Sequence, residues 1–143
     1  MSGFVNTLDL LGDTTVVDSI IEGTLEEFQD NVLNVIGKAS LADCEKLKYV
    51  VLTNVTELKD YAFIDCKALD TLILSSENIC VLRYSALSNT PIASGTGYIY
   101  VPRALLDTYK TATNWSTYAN QFRALEDYTV DGTVTGELDE SKI

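Results

Sequence analysis

The amino-acid sequence predicts an α/β-type repeat fold, and three observations carry that expectation. One segment has a near copy 22 residues further on, each copy ends in a short apolar run, and a helix-spaced stretch follows a proline near the end. The first copy is Ile36-Gly37-Lys38-Ala39-Ser40-Leu41-Ala42-Asp43-Cys44-Glu45-Lys46-Leu47-Lys48-Tyr49-Val50-Val51-Leu52. The second runs from Leu58-Lys59-Asp60-Tyr61-Ala62-Phe63-Ile64-Asp65-Cys66 to Leu69 and Thr71-Leu72-Ile73-Leu74, matching Asp-Cys to Asp-Cys and Leu to Leu. That period lies in the range of leucine-rich repeats. The expectation is therefore a short leucine-rich-repeat solenoid of about 22-residue units with a C-terminal helical cap, strands on one face and turns on the other.

Taken in order, residues 1–23 carry apolar side chains at intervals (Leu8, Leu10, Leu11, Val16, Val17, Ile20 and Ile21) but stand outside the repeat register. They form an N-terminal segment that either caps the repeats or docks on another chain, and association of the chain with itself through this segment is one form of that docking. Residues 24–102 hold the repeats. Leu25 to Phe28 and Val32 to Ile36 resemble the strand end of a degenerate first unit, and a looser unit starts near Leu82, where Ile99-Tyr100-Val101 stands in the place of Leu72-Ile73-Leu74 and the insertion Ser88–Gly97 separates its halves. No unit can bury its own apolar face, so Leu47, Val50 and Leu52 are expected to stack on Leu69, Leu72 and Leu74, and those on Ile99 and Val101. Residues 103–128 form the cap: Pro102 opens a stretch with Leu105, Leu106 and Tyr109 at helical spacing, Asn114 to Thr117 break it, and Tyr118, Phe122 and Leu125 shield the open end of the stack. Residues 129–143 are polar, acidic and glycine-containing, and read as a flexible tail.

Composition narrows function. Acidic residues outnumber basic ones 21 to 10, for a net charge of −11, which opposes the phosphate contacts of nucleic-acid binding. The imbalance sits at the two ends, and the middle of the chain is nearly neutral. No apolar run approaches the roughly 20 residues of a membrane span, and Met1-Ser2-Gly3-Phe4 lacks the basic start of a secretory signal, so neither membrane insertion nor self-export is expected. The chain has no histidine, which removes the usual general base, the Ser-His and Cys-His nucleophile pairs and most zinc sites. Three cysteines without CxxC spacing argue against a disulfide framework. No catalysis, cofactor or metal is expected.

The repeat itself is familiar. Ala62-Phe63 followed by Cys66, Leu69 and Leu72-Ile73-Leu74 resembles the BspA-type leucine-rich repeat of bacterial surface proteins. The run Thr90-Pro91-Ile92-Ala93-Ser94-Gly95-Thr96-Gly97-Tyr98-Ile99-Tyr100-Val101-Pro102, with Tyr109-Lys110 and Thr113 to Ala119 behind it, is similar to the closing segment of the short proteins of this kind from gut Firmicutes phages and prophages. The resemblance covers roughly residues 24 to 136. It implies an accessory structural component of a phage virion, tail-associated or capsid-decorating, that attaches to a host surface protein or glycan or to other virion proteins. The alternative it implies is an adhesin-type protein at the bacterial cell surface.

Candidate recognition residues are the side chains expected on the outer strand face, Tyr49, Thr71, Ile73, Tyr98 and Tyr100, since repeat surfaces bind along an extended face and tyrosine is favoured at interfaces. Ordinary sheet packing is the competing role for each. Asp43 and Asp65 occupy equivalent turn positions and suit turns or helix caps rather than catalysis. Cys44 and Cys66 are expected as a stacked pair of reduced thiols, and Cys80, off that ladder, as the reactive one. Trp115 reads as an anchor of the cap rather than a sugar platform. Asp131, Glu137, Asp139 and Glu140 lack calcium-loop spacing and suit solvation, and the glycosylation-like Asn54-Val55-Thr56 and Asn114-Trp115-Ser116 read as coincidence.

Overall fold

The apolar tetrapeptides Tyr49–Leu52, Thr71–Leu74 and Tyr98–Val101, rich in β-branched and aromatic residues, become strands that pair with one another. The computed structural model describes residues 24–130 and 133–134. Strands Glu27–Asp30 (β1), Tyr49–Leu52 (β3), Thr71–Leu74 (β5), Tyr98–Val101 (β7) and Phe122–Ala124 (β8) form a five-stranded parallel sheet in the order β1-β3-β5-β7-β8. A second parallel sheet joins the two-residue strands Val35–Ile36 (β2), Glu57–Leu58 (β4) and Val81–Leu82 (β6). The internal similarity of the sequence reappears as register, with Val50 opposite Leu72 and Leu72 opposite Ile99.

The architecture is thus a small α/β domain built on two parallel sheets, of five and three strands, and not the leucine-rich-repeat solenoid expected from the sequence. Two physical reasons account for the difference. The side opposite the long strands is not made of turns alone; Val35-Ile36, Glu57-Leu58 and Val81-Leu82 each point one side chain outward and one (Ile36, Leu58, Leu82) into the core, which is strand geometry, so they pair with one another. Nor is the C-terminal segment a helical cap. The helix-spaced stretch gives only a 3-10 turn (Arg103–Leu105) and a six-residue helix, Leu106–Thr111 (α2), stopped where Ala112 turns extended, with Asn114 at φ 67° opening the next segment. A second 3-10 segment, Trp115–Gln121, then leads into β8, which extends the large sheet beside β7.

Turns between the strands form ladders. Leu41, Phe63, Asp43 and Asp65 donate backbone N–H groups to the carbonyls of Ala62, Ala86, Ile64 and Ser88, one layer bonded to the next. Asp43, Asp65 and Asn89 hold equivalent left-handed positions, φ 62°, 63° and 60°, which Asp and Asn tolerate because their short side chains bond locally, and Asn89 Nδ2 donates to Asp65 Oδ1 at 2.7 Å. The insertion is folded too: Thr90 caps the short helix Pro91–Ser94 (α1) by accepting from the Ala93 N–H, and Ile92 is fully buried beneath it. Gly97 admits no side chain, since a Cβ there would lie 2.9 Å from the Asp70 carbonyl oxygen and from Ile92.

The core lies between the two sheets. Leu47, Val50, Leu52, Leu69, Leu72, Leu74, Ile99 and Val101 are buried there with Phe63 and Leu58, each fully covered aliphatic side chain contributing about 1.5–3 kcal/mol. At one end, Tyr109, Trp115 and Phe122 pack ring to ring with centroids 5.5–5.8 Å apart. The same residues finish the small sheet. The Cys80 N–H donates to the Tyr109 hydroxyl (2.8 Å), Trp115 Nε1 donates to the Cys80 carbonyl (2.6 Å), and Asn114 Nδ2 donates to the Leu82 carbonyl (2.7 Å). Side chains thereby take edge groups at β6 that another strand would otherwise claim. The last described strands, Thr129–Val130 (β9) and Thr133–Val134 (β10), pair antiparallel within the segment expected as tail; residues 131–132 and 135–143 lie outside the described residues.

Candidate binding face on the five-stranded sheet

Along β3, β5 and β7 the outward side chains form two rows. One runs Tyr49, Thr71, Tyr98 and the other Val51, Ile73, Tyr100, with Arg123 of β8 continuing the second. An outward row of Val and Ile needs cover, and the chain supplies it: after β8 the 3-10 turn Leu125–Asp127 carries Leu125 and Tyr128 back over the sheet, leaving Val51 and Ile73 2% and 4% exposed. Arg103 pins that turn. Its backbone N–H donates to the Glu126 carboxylate at 2.9 Å, and its guanidinium meets Asp127 at 2.7 Å.

What stays accessible is aromatic and polar. Tyr98 is 40% exposed, with the Arg123 guanidinium 4.7 Å from its ring centre. Tyr100 is half-buried, 6.5 Å from Tyr98 and 4.7 Å edge-on from Tyr128, which in turn stacks on Tyr49 at 6.4 Å. Asp70 borders the group and accepts a hydrogen bond from Thr71 Oγ1 at 2.9 Å. Burial, with Tyr128 next to it, holds the Tyr49 phenol far above the ordinary tyrosine range. Burial also raises Tyr100 and Tyr128, Arg123 and Tyr49 respectively opposing the rise. These rings are neutral at neutral pH.

Of the residues expected to bind, Tyr49, Thr71, Tyr98 and Tyr100 therefore share one face, whereas Ile73 is taken out of contention by the cover of Leu125. Leu125 was expected to shield the open end of the stack; it covers the outer face of the sheet instead. Arg123 and Tyr128 belong to the face and were missed in the sequence. The strand alternation of Phe122-Arg123-Ala124 was a usable signal for Arg123, but nothing local announces that Tyr128 folds back. Leu8, Leu10, Leu11, Val16, Val17, Ile20 and Ile21, and the acidic residues Asp131, Glu137, Asp139 and Glu140, lie outside the described residues.

Two other expectations are altered by packing. Cys80 is not an accessible thiol: it is 1% exposed, and burial pushes its pKa up to about 12, so it is protonated and shielded. Cys44 and Cys66 are also buried and outside any disulfide; Cys66 Sγ donates to the Leu41 carbonyl at 3.0 Å, and its hydrogen bond with Cys44, then burial, raises its pKa. Trp115 is buried at the chain end of the small sheet, where it anchors rather than presents its ring.

Elsewhere, a charged groove of about 450 Å³ is lined by Lys38, Glu57, Lys59, Asp60 and Arg83, with Arg83 and Glu57 paired across it. An apolar cleft of about 290 Å³ lies among Phe28, Leu33, Val35, Ile36 and Leu41 at the β1 and β2 end. Among the described residues no three His, Cys, Asp or Glu side chains are grouped to hold a metal, and no helix is long and apolar enough to cross a membrane. No family model, curated protein or solved structure matches this chain.

Proposed function

We propose that this chain is a non-catalytic interaction protein, an accessory structural component of a phage virion that presents the outer face of its large sheet to a host or partner surface. The observation that carries the binding part is the tyrosine row itself. Tyr98 stays exposed and Tyr100 half-exposed on a sheet whose apolar outer positions the chain has otherwise covered with its own Leu125 and Tyr128. A rigid sheet bearing amphipathic rings binds at low entropic cost, because a tyrosine has few torsions to freeze. The absence of histidine supports binding over catalysis. The virion setting rests on the resemblance of residues 90–119 to the closing segment of short phage-encoded repeat proteins.

The test is mass spectrometry of purified particles of the phage, and of membranes of the bacterium, that carries this gene. The intact chain in particles at constant stoichiometry is the expected result. Its recovery only from cells would replace the virion reading with that of a cell-surface adhesin.

A further inference from the structure

We infer that the tyrosine row is a glycan platform, on which Tyr98 and Tyr100 hold the rings of an uncharged polysaccharide while Arg123, Asp70 and Thr71 bond its hydroxyls. The inference rests on the interaction-face reading above and names its ligand.

Three features of the face select this chemistry. First, Tyr98 and Tyr100 are two residues apart on β7, so both project from one side of the strand, with centroids 6.5 Å apart and ring planes tilted 60° to one another, a twisted rather than flat pair. A pair of rings in line along a strand suits consecutive sugar units, whose axial C–H bonds are attracted to the electron-rich aromatic faces. Second, the polar partners are fixed and mixed in sign. Arg123 rests on Tyr98 and commits Nη1 to the carbonyls of Asn120 and Phe122, while Nε and Nη2 make no hydrogen bond among the described residues. Arg123 also has no carboxylate partner there, unlike Lys67, Arg83 and Arg103. Across β7 from Arg123, on the β5 side of the face, Asp70 supplies an acceptor already oriented by Thr71 Oγ1. Donors and an acceptor around an aromatic floor match a ligand made of hydroxyls, each of which gives and takes. Third, the apolar centre that a protein partner would require is occupied: Val51 and Ile73 are sealed under Leu125 and Tyr128. Protein interfaces draw on a desolvated apolar core inside a polar rim, and here only the ring-and-polar part is open. The net charge of −11 and the flanking Asp70 and Glu27 disfavour acidic polymers, which leaves an uncharged one.

Affinity electrophoresis of the full chain in native gels containing soluble mannan, β-glucan, galactan or dextran tests this, with polygalacturonate as the acidic comparison. At least one uncharged polymer retards the wild-type chain, and Tyr98→Ala and Arg123→Ala weaken that retardation at least tenfold while keeping the wild-type circular dichroism. Tyr84→Ala, an exposed tyrosine outside the row, leaves it unchanged. Absence of retardation in every uncharged gel, retardation by polygalacturonate alone, or wild-type retardation of Tyr98→Ala overturns the inference. Binding to host cells that persists after periodate oxidation of their sugars, and is lost in Tyr98→Ala, also overturns it and transfers the face to a protein ligand, leaving the interaction-face reading intact.

Discussion

Replacing Tyr109 with Phe removes a single oxygen and isolates how the C-terminal segment is fastened to the small sheet. The ring remains wedged between Trp115 and Phe122, both 5.5 Å away, so almost no cavity opens. What is lost is the acceptor for the Cys80 N–H, 2.8 Å away in a place from which water is excluded. A buried amide deprived of its partner costs about 1–3 kcal/mol, whereas a hydrogen bond exchanged for one to water costs far less. In a chain of 143 residues that corresponds to a melting point lower by roughly 3–10 °C. Urea unfolding followed by the fluorescence of the chain's one tryptophan, itself 1% exposed and bonded to the same Cys80 peptide unit, reads the change directly. The expected result is a lower midpoint with an unchanged slope. A loss below about 0.5 kcal/mol, no greater than that of the exposed control Tyr84→Phe, would refute the argument that Cys80 is gripped from both sides.

Other consequences are independent of that one. Leu72→Ala, at a fully buried position between Val50 and Ile99, lowers stability by about 2–5 kcal/mol in the same urea assay, and a near-neutral result would mean the sheets do not enclose one core. All three thiols stay unreactive toward an aromatic disulfide reagent until the protein unfolds; rapid labelling of Cys80 in native buffer would contradict its burial. Stability falls in alkali. Cys80 is raised from 9.0 to about 12 and Tyr109 from 10.0 to about 12, so both prefer the protonated form more strongly when folded. Their contribution is whole below pH 9 and drains away between about pH 9 and 12, and melting points that are flat across that window would reject it.

Some of this was written in the chain locally. The strands at Tyr49–Leu52 and Thr71–Leu74 and their register are legible because similar apolar patterns recur 22 residues apart, and Tyr98–Val101 is legible as a further copy displaced by the insertion, like pairing with like when the layers stack. All five residues expected on the outer strand face, Ile73 included, do project to one side of the sheet, since alternation along a strand assigns sides without reference to the rest of the fold. Asp43 and Asp65 were legible as turn residues from their chemistry alone.

Only the tertiary structure decided the remainder. Val35-Ile36, Glu57-Leu58 and Val81-Leu82 are too short to show a period, and become a second sheet because layer stacking brings them side by side. Phe122-Arg123-Ala124 follows a helix-like stretch, yet the edge left open by β7 recruits it as a strand. Ile73 looks like an exposed strand residue and Cys80 like a stray thiol until Leu125, Tyr109 and Trp115, 29 to 52 positions further on, cover or grip them. A side chain's neighbours along the chain set its direction; whether that direction meets solvent depends on segments the local pattern does not contain, which is why Tyr98 stayed open while Ile73 closed.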